Sequence, residues 1–141
     1  MGRVLGVDLG SRRIGLALSD PSRVLASPHG VLERSGDPAA DRSALVAAAR
    51  EAGASEIVVG VPRSLSGNLG PAARAALDEI EALRAEAAGM TVETYDERLT
   101  TVSADRALGE AGVRSRDRRR RIDAAAATVI LQAYLDRRTR Q

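Results

Sequence analysis

The stretch Met1-Gly-Arg-Val-Leu-Gly-Val-Asp-Leu-Gly10 decides how the rest of the chain is read. Val4 to Leu9 is a short apolar run closed by Gly10, which predicts a buried strand. Asp8 stands near its end. A carboxylate in apolar surroundings costs several kcal/mol unless a cation or hydrogen-bond donors satisfy it. Two more acids stand in similar places. Glu97 follows the strand expected over Thr91–Tyr95, and Asp123 lies among apolar residues at the start of the last expected helix. Taken singly, each acid also reads as a cap or a surface charge. Three of them at element ends, from distant parts of the chain, predict one cation-binding site.

Working outward, the first strand turns at Gly10-Ser11-Arg12-Arg13 into a second, Ile14 to Leu18. A third strand is expected from about Val24 to Glu33, and Pro28 inside it predicts an edge position. Short connections make these three an antiparallel meander. Asp37-Pro38 then opens a helix that carries Leu45, Val46 and Ala49 on one face and ends at Gly53. Glu56 to Val61 is a short apolar strand. A loop leads to Pro71, a favoured first position for a helix, and apolar residues follow at spacings of three and four. Met90 to Tyr95 is the fifth strand. Thr100 to Gly109 reads as helical, Gly112 to Arg121 as a basic linker or helix entry, and Ile122 to Arg138 as a closing helix. Strands separated by helices imply right-handed parallel crossovers. The expected fold is α/β, a single domain over residues 1–141. It has a five-stranded mixed sheet with the first strand central and helices flanking both faces.

Composition narrows the chemistry. With 141 residues, 44% hydrophobic and 28% charged, the chain is long enough for a substantial core. It has no Cys and one His, His29, which reads as a loop residue. Thiolate sites and multi-histidine sites are therefore excluded, and a bound metal would have oxygen ligands, as Mg²⁺ or Mn²⁺ prefers. No apolar run reaches membrane-spanning length and no signal-peptide pattern opens the chain, so a cytoplasmic protein is expected. All 21 basic residues are Arg. Residues 1–113 carry 12 Arg and 16 acids, net −4, whereas residues 114–141 carry 9 Arg and 3 acids, net +6. A basic end on an acidic body is an electrostatic handle for nucleic acid. Phe and Trp are absent, which argues against single-strand binding by aromatic stacking.

These acids suit phosphodiester hydrolysis. Two divalent ions roughly 4 Å apart activate water and stabilise the leaving oxygen, and shared carboxylates hold them. Asp8, Glu97 and Asp123 are thus the candidate metal ligands and catalytic residues. Arg12 and Arg13 in the first turn, and Arg98 beside Glu97, are candidates to meet phosphate. The loop Ser66-Gly67-Asn68-Leu69-Gly70 before a helix N-terminus is another phosphate candidate, of which Ser66 and Gly67 are singled out. It reads equally as a flexible connector. Arg118 and Arg119, in the basic run before Asp123, are candidates for the nucleic-acid backbone, with a solvated face as the alternative.

Asp8-Leu-Gly-Ser-Arg-Arg-Ile-Gly15 resembles the opening motif of the YqgF family of pre-16S rRNA nucleases and Holliday junction resolvase-like proteins. Val59-Gly-Val-Pro62, Asp96-Glu-Arg-Leu-Thr-Thr101 and Ile122-Asp-Ala-Ala-Ala-Ala127 resemble its later motifs, in family order. The resemblance implies an RNase H-like fold and Mg²⁺- or Mn²⁺-dependent cleavage of nucleic acid, with maturation of the 5′ end of 16S rRNA as the role. It places the family's acids on Asp8, Glu97 and Asp123 and its arginines on Arg13 and Arg98. Three readings follow: a nuclease of precursor 16S rRNA, with a ribosomal particle open as a partner; a resolvase of branched DNA; and a non-catalytic RNA-binding assembly factor. A monomer and a homodimer are both open, the dimer favouring the resolvase.

Overall fold

The computed structural model describes residues 2–63, 67–100 and 115–139. Five strands, β1 (Arg3–Leu9), β2 (Arg13–Ser19), β3 (Ala26–Glu33), β4 (Ala54–Val61) and β5 (Thr91–Asp96), form one sheet in the order β3-β2-β1-β4-β5. β1 pairs antiparallel with β2 and β2 with β3, while β4 runs parallel to both β1 and β5. The mixed sheet, its central first strand and the edge position of the Pro28 strand all match the expectation.

Alternation along the strands assigns side chains to two faces. Leu5, Val7, Ile14, Leu16, Ile57 and Val59 pack on α1 (Pro38–Glu51) and α2 (Pro71–Glu86). Val4, Ala17, Val58 and Tyr95 pack on α3 (Arg116–Thr139) through Ala127, Ile130, Leu131 and Leu135. The caps are local. Asp37 accepts from the amides of Ala39 and Ala40 ahead of Leu45, Val46 and Ala49, the buried face of α1. Burying each such aliphatic side chain contributes about 1.5–3 kcal/mol, so these stripes hold the helices to the sheet.

Three departures from expectation have local causes. β3 begins at Ala26, because the Asp20 carboxylate accepts from the amides of Val24 (2.7 Å) and Leu25 (2.9 Å) and holds them in the turn. His29 lies within β3 rather than a loop, where the register shifts between Leu16↔Gly30 and Ala17↔Pro28 and leaves it as the extra residue of a bulge. α3 begins at Arg116, six residues before the expected Ile122, with the Ser115 hydroxyl accepting from the Arg118 amide at 3.1 Å. The helix expected over 100–109 lies outside the described residues apart from Thr100, whose hydroxyl donates to the Glu97 carbonyl at 2.9 Å. Among the described residues, no helix is long and apolar enough to cross a membrane.

Candidate active site

Asp8 is 3% exposed on the α3 face of the central strand. Its partner across β2 is Gly15. A Cβ on Gly15 would lie 2.1 Å from the Asp123 carbonyl oxygen, so only glycine lets α3 come down onto the sheet there. On the other side of β1, Val7 pairs with Val59, which brings the next residue of β4, Gly60, alongside Asp8. A Cβ on Gly60 would lie 3.4 Å from the carboxyl carbon of Glu97. The sheet therefore presents Gly15, Asp8 and Gly60 side by side, with Asp123 over the first and Glu97 over the last. The three acids proposed from sequence come from β1, the turn after β5, and α3, and they lie toward the same end of the sheet.

Their electrostatic states differ. Glu97 is 8% exposed and opens a single 3₁₀ turn, Glu97–Leu99, after β5. Among the described residues, no donor meets its carboxylate; burial, then the charge of Asp96, raises its pKa above the ordinary value. Asp123, also 8% exposed, is paired with Arg13, whose Nε donates to Oδ2 at 2.5 Å. Arg98 is tied to Asp96 through Nε (2.8 Å) and its own amide (2.9 Å). That bond and the adjacent charge lower the Asp96 pKa. Held there, Arg98 packs on Gly67, Nη1 being 3.0 Å from where a Cβ would be. Two candidate phosphate-binding residues are thereby neighbours. Ser66 lies outside the described residues. Arg12 is exposed in the turn after β1, and Arg118 and Arg119 are exposed on the first turns of α3.

All these donors are carboxylate oxygens, and Glu97 is buried without a counter-cation among the described residues, which fits a hard divalent ion. Among the described residues, no three acids converge as a ready-made metal cage, and Arg13 holds Asp123. Asp8 and Glu97 could hold such an ion, while the Asp123 carboxylate is engaged by Arg13.

Sequence reading missed the glycines that seat these acids. Glycine inside an apolar strand marks close approach by another group, and Gly15 and Gly60 both carried that signal. It also missed Arg34, whose Nε donates to the Gly10 carbonyl at 2.6 Å while its Nη atoms bond Glu79 of α2, fixing the turn that follows Asp8.

Residues 2–137 match the family model described as RuvX: Holliday junction resolvase. The chain belongs to this family. It is 47% identical over 143 residues to a Nocardia farcinica protein provisionally named a pre-16S rRNA nuclease, covering 98% of this chain and 79% of that protein. A Mycobacterium ulcerans protein with the same provisional name is 48% identical over 139 residues, covering 97% and 80%. Among solved structures, Thermus thermophilus RuvC in complex with a Holliday junction substrate superposes with a TM-score of 0.57 at 18% identity, covering 97% of this chain and 96% of that one. At that identity the likeness speaks for the fold, which is RNase H-like.

Proposed function

We propose that this RuvX-family chain is a single-domain, metal-dependent nuclease, and that its substrate is the 5′ region of precursor 16S rRNA. One observation carries the reading: Asp123 and Glu97 are seated over Gly15 and Gly60, on either side of buried Asp8. The provisional names of the 47–48% identical relatives support the rRNA substrate. Water adds to phosphorus, and the ester oxygen leaves with a proton. Asp8 and Glu97 would hold Mg²⁺ or Mn²⁺, with Asp123 as the third ligand. The ion supplies Lewis acidity to the phosphoryl oxygens and lowers the pKa of bound water. Burial keeps Asp8 and Glu97 fixed and excludes bulk water from them. Arg98, oriented by Asp96, and Gly67 form one phosphate contact, while Arg12, Arg118 and Arg119 track the backbone. Arg13 positions Asp123 until substrate phosphate competes for the guanidinium. The protein would act in the cytoplasm, on RNA alone or within a ribosomal particle.

The family model's own description favours a second reading, a resolvase of branched DNA, which would act as a homodimer. One assay tests both. A precursor 16S rRNA 5′ fragment and a four-way DNA junction are incubated with Mn²⁺ and either the natural protein or Asp8→Asn. Cleavage is expected on the RNA and is expected to fall roughly a thousandfold in the variant, the equivalent of several kcal/mol of metal assistance. Cleavage of the junction alone would select the second reading. Full activity of Asp8→Asn would overturn both.

A further inference from the structure

Beside the acids the surface opens into a groove of about 300 Å³, lined by Pro28, Gly30, Val31, Arg120, Arg121 and Ala124. Its position follows from the sheet register. Asp8 pairs with Gly15 and Gly15 with Val31, so the groove begins two strands from Asp8, about 10 Å away. On the helix side, Ala124 follows Asp123. The groove is thus continuous with the acid site along the line of one cross-strand row.

Its chemistry is divided. Pro28, Val31 and Ala124 give an apolar floor. Arg120 and Arg121 give one wall its charge. Arg120 approaches Glu33 at 3.9 Å, and Glu33 is shared with Arg116 at 3.3 Å. Arg121 is exposed and has no acidic partner among the described residues. An apolar floor with a free guanidinium at its lip matches a nucleotide, whose base wants desolvation and whose phosphate wants a cation. The volume lies at the lower end of the roughly 300–1,000 Å³ of small-ligand pockets, which admits one nucleotide and not a duplex. Stacking here falls to the planar face of arginine, since the floor has no aromatic ring.

We propose that this groove is a subsite for one unpaired nucleotide of the substrate strand, one or two positions from the bond cut at the acids. The inference rests on the nuclease reading for its place on the strand, but not for its chemistry. It predicts a preference for single-stranded or frayed substrate next to the cleavage position.

The test measures binding in EDTA, where no cleavage occurs, of a labelled oligoribonucleotide presented single-stranded or as a blunt duplex. Arg121→Ala should weaken single-strand binding about tenfold and reduce the salt slope by roughly 0.7, with duplex binding changed less than twofold. Arg121→Lys should restore the slope but not the whole affinity, because it keeps the charge and loses the planar face. Val31→Ala should weaken single-strand binding a few-fold with no change in slope, since no charge is removed. Equal losses on both substrates would reduce Arg121 to a general phosphate contact and overturn the subsite. So would unchanged binding in all three variants. A parallel Mn²⁺ cleavage assay separates the two ideas: single-strand preference without cleavage removes the nuclease reading and leaves the subsite, while cleavage without that preference does the reverse.

Discussion

Glu56 and Glu97 are both buried glutamates on the α3 side of the sheet, at opposite ends of the β4–β5 pair, and their surroundings could hardly differ more. Glu56, 5% exposed at the start of β4, accepts from Nη1 of Arg23 and Nη1 of Arg138, each at 3.0 Å, and from the Tyr134 hydroxyl. Arg138 also lies over the Tyr134 ring, 5.5 Å from its centroid. Arg23 holds a left-handed backbone (φ 59°), which its bonds to the Gly2 carbonyl, the Ser55 hydroxyl and Glu56 over-determine. Glu97 has no such donors among the described residues. One carboxylate is saturated and ties α3 to the sheet. The other is left short of positive charge among the described residues, as the cation site proposed above requires.

The largest test of that contrast is Glu56→Ala. It leaves two guanidinium groups and a phenol without their shared acceptor, and a loss of about 3 kcal/mol is expected in urea unfolding, with cleavage per folded molecule unchanged. A loss under half that size would mean solvent already satisfies the cluster. Arg13→Ala acts at the other end. It removes the cation that holds Asp123, so Mn²⁺ affinity measured calorimetrically without substrate should rise about tenfold, near 1.4 kcal/mol; weaker Mn²⁺ binding would show that Arg13 supports the site rather than competing with it. Tyr134→Phe removes one hydrogen bond and should cost about 1 kcal/mol. Tyr134 has its pKa pushed up to about 12 by burial and by Glu56. An ultraviolet titration should therefore find one tyrosine of the natural protein resisting ionisation until then.

The smallest effect carries a definite sign. Glu97 has a folded pKa above its unfolded value of 4.5. Below that unfolded value the side chain is protonated in both states and stability is fully present. As pH rises through the raised folded value, the natural protein loses stability that Glu97→Gln keeps. Metal-free melting curves should coincide in acid and separate toward neutrality, with the variant more stable. Separation in the opposite direction would mean that an unseen donor already satisfies Glu97.

The five strands and the three acids were legible because each acid interrupts or closes an apolar run, where a carboxylate has no structural excuse. Glu56 was not legible for the opposite reason. An acid just before an apolar run looks like an ordinary strand boundary, and its partners Arg23, Tyr134 and Arg138 lie 33, 78 and 82 residues away. The start of α3 was hidden by its own arginines, which carry no apolar period, although Ser115 offered a readable cap. That Arg13 faces Asp123, 110 residues away, followed only from the docking of α3 over Gly15.

That docking also sets a timetable. Asp123 is in place only when α3 is docked on a sheet that holds Gly15 and Gly60 in register. Contacts of such sequence separation form late, because their loop-closure entropy falls due before they return any energy. A half-folded chain therefore carries the acids apart and harmless. The site proposed above therefore exists only in the fully docked chain and in none of its segments alone.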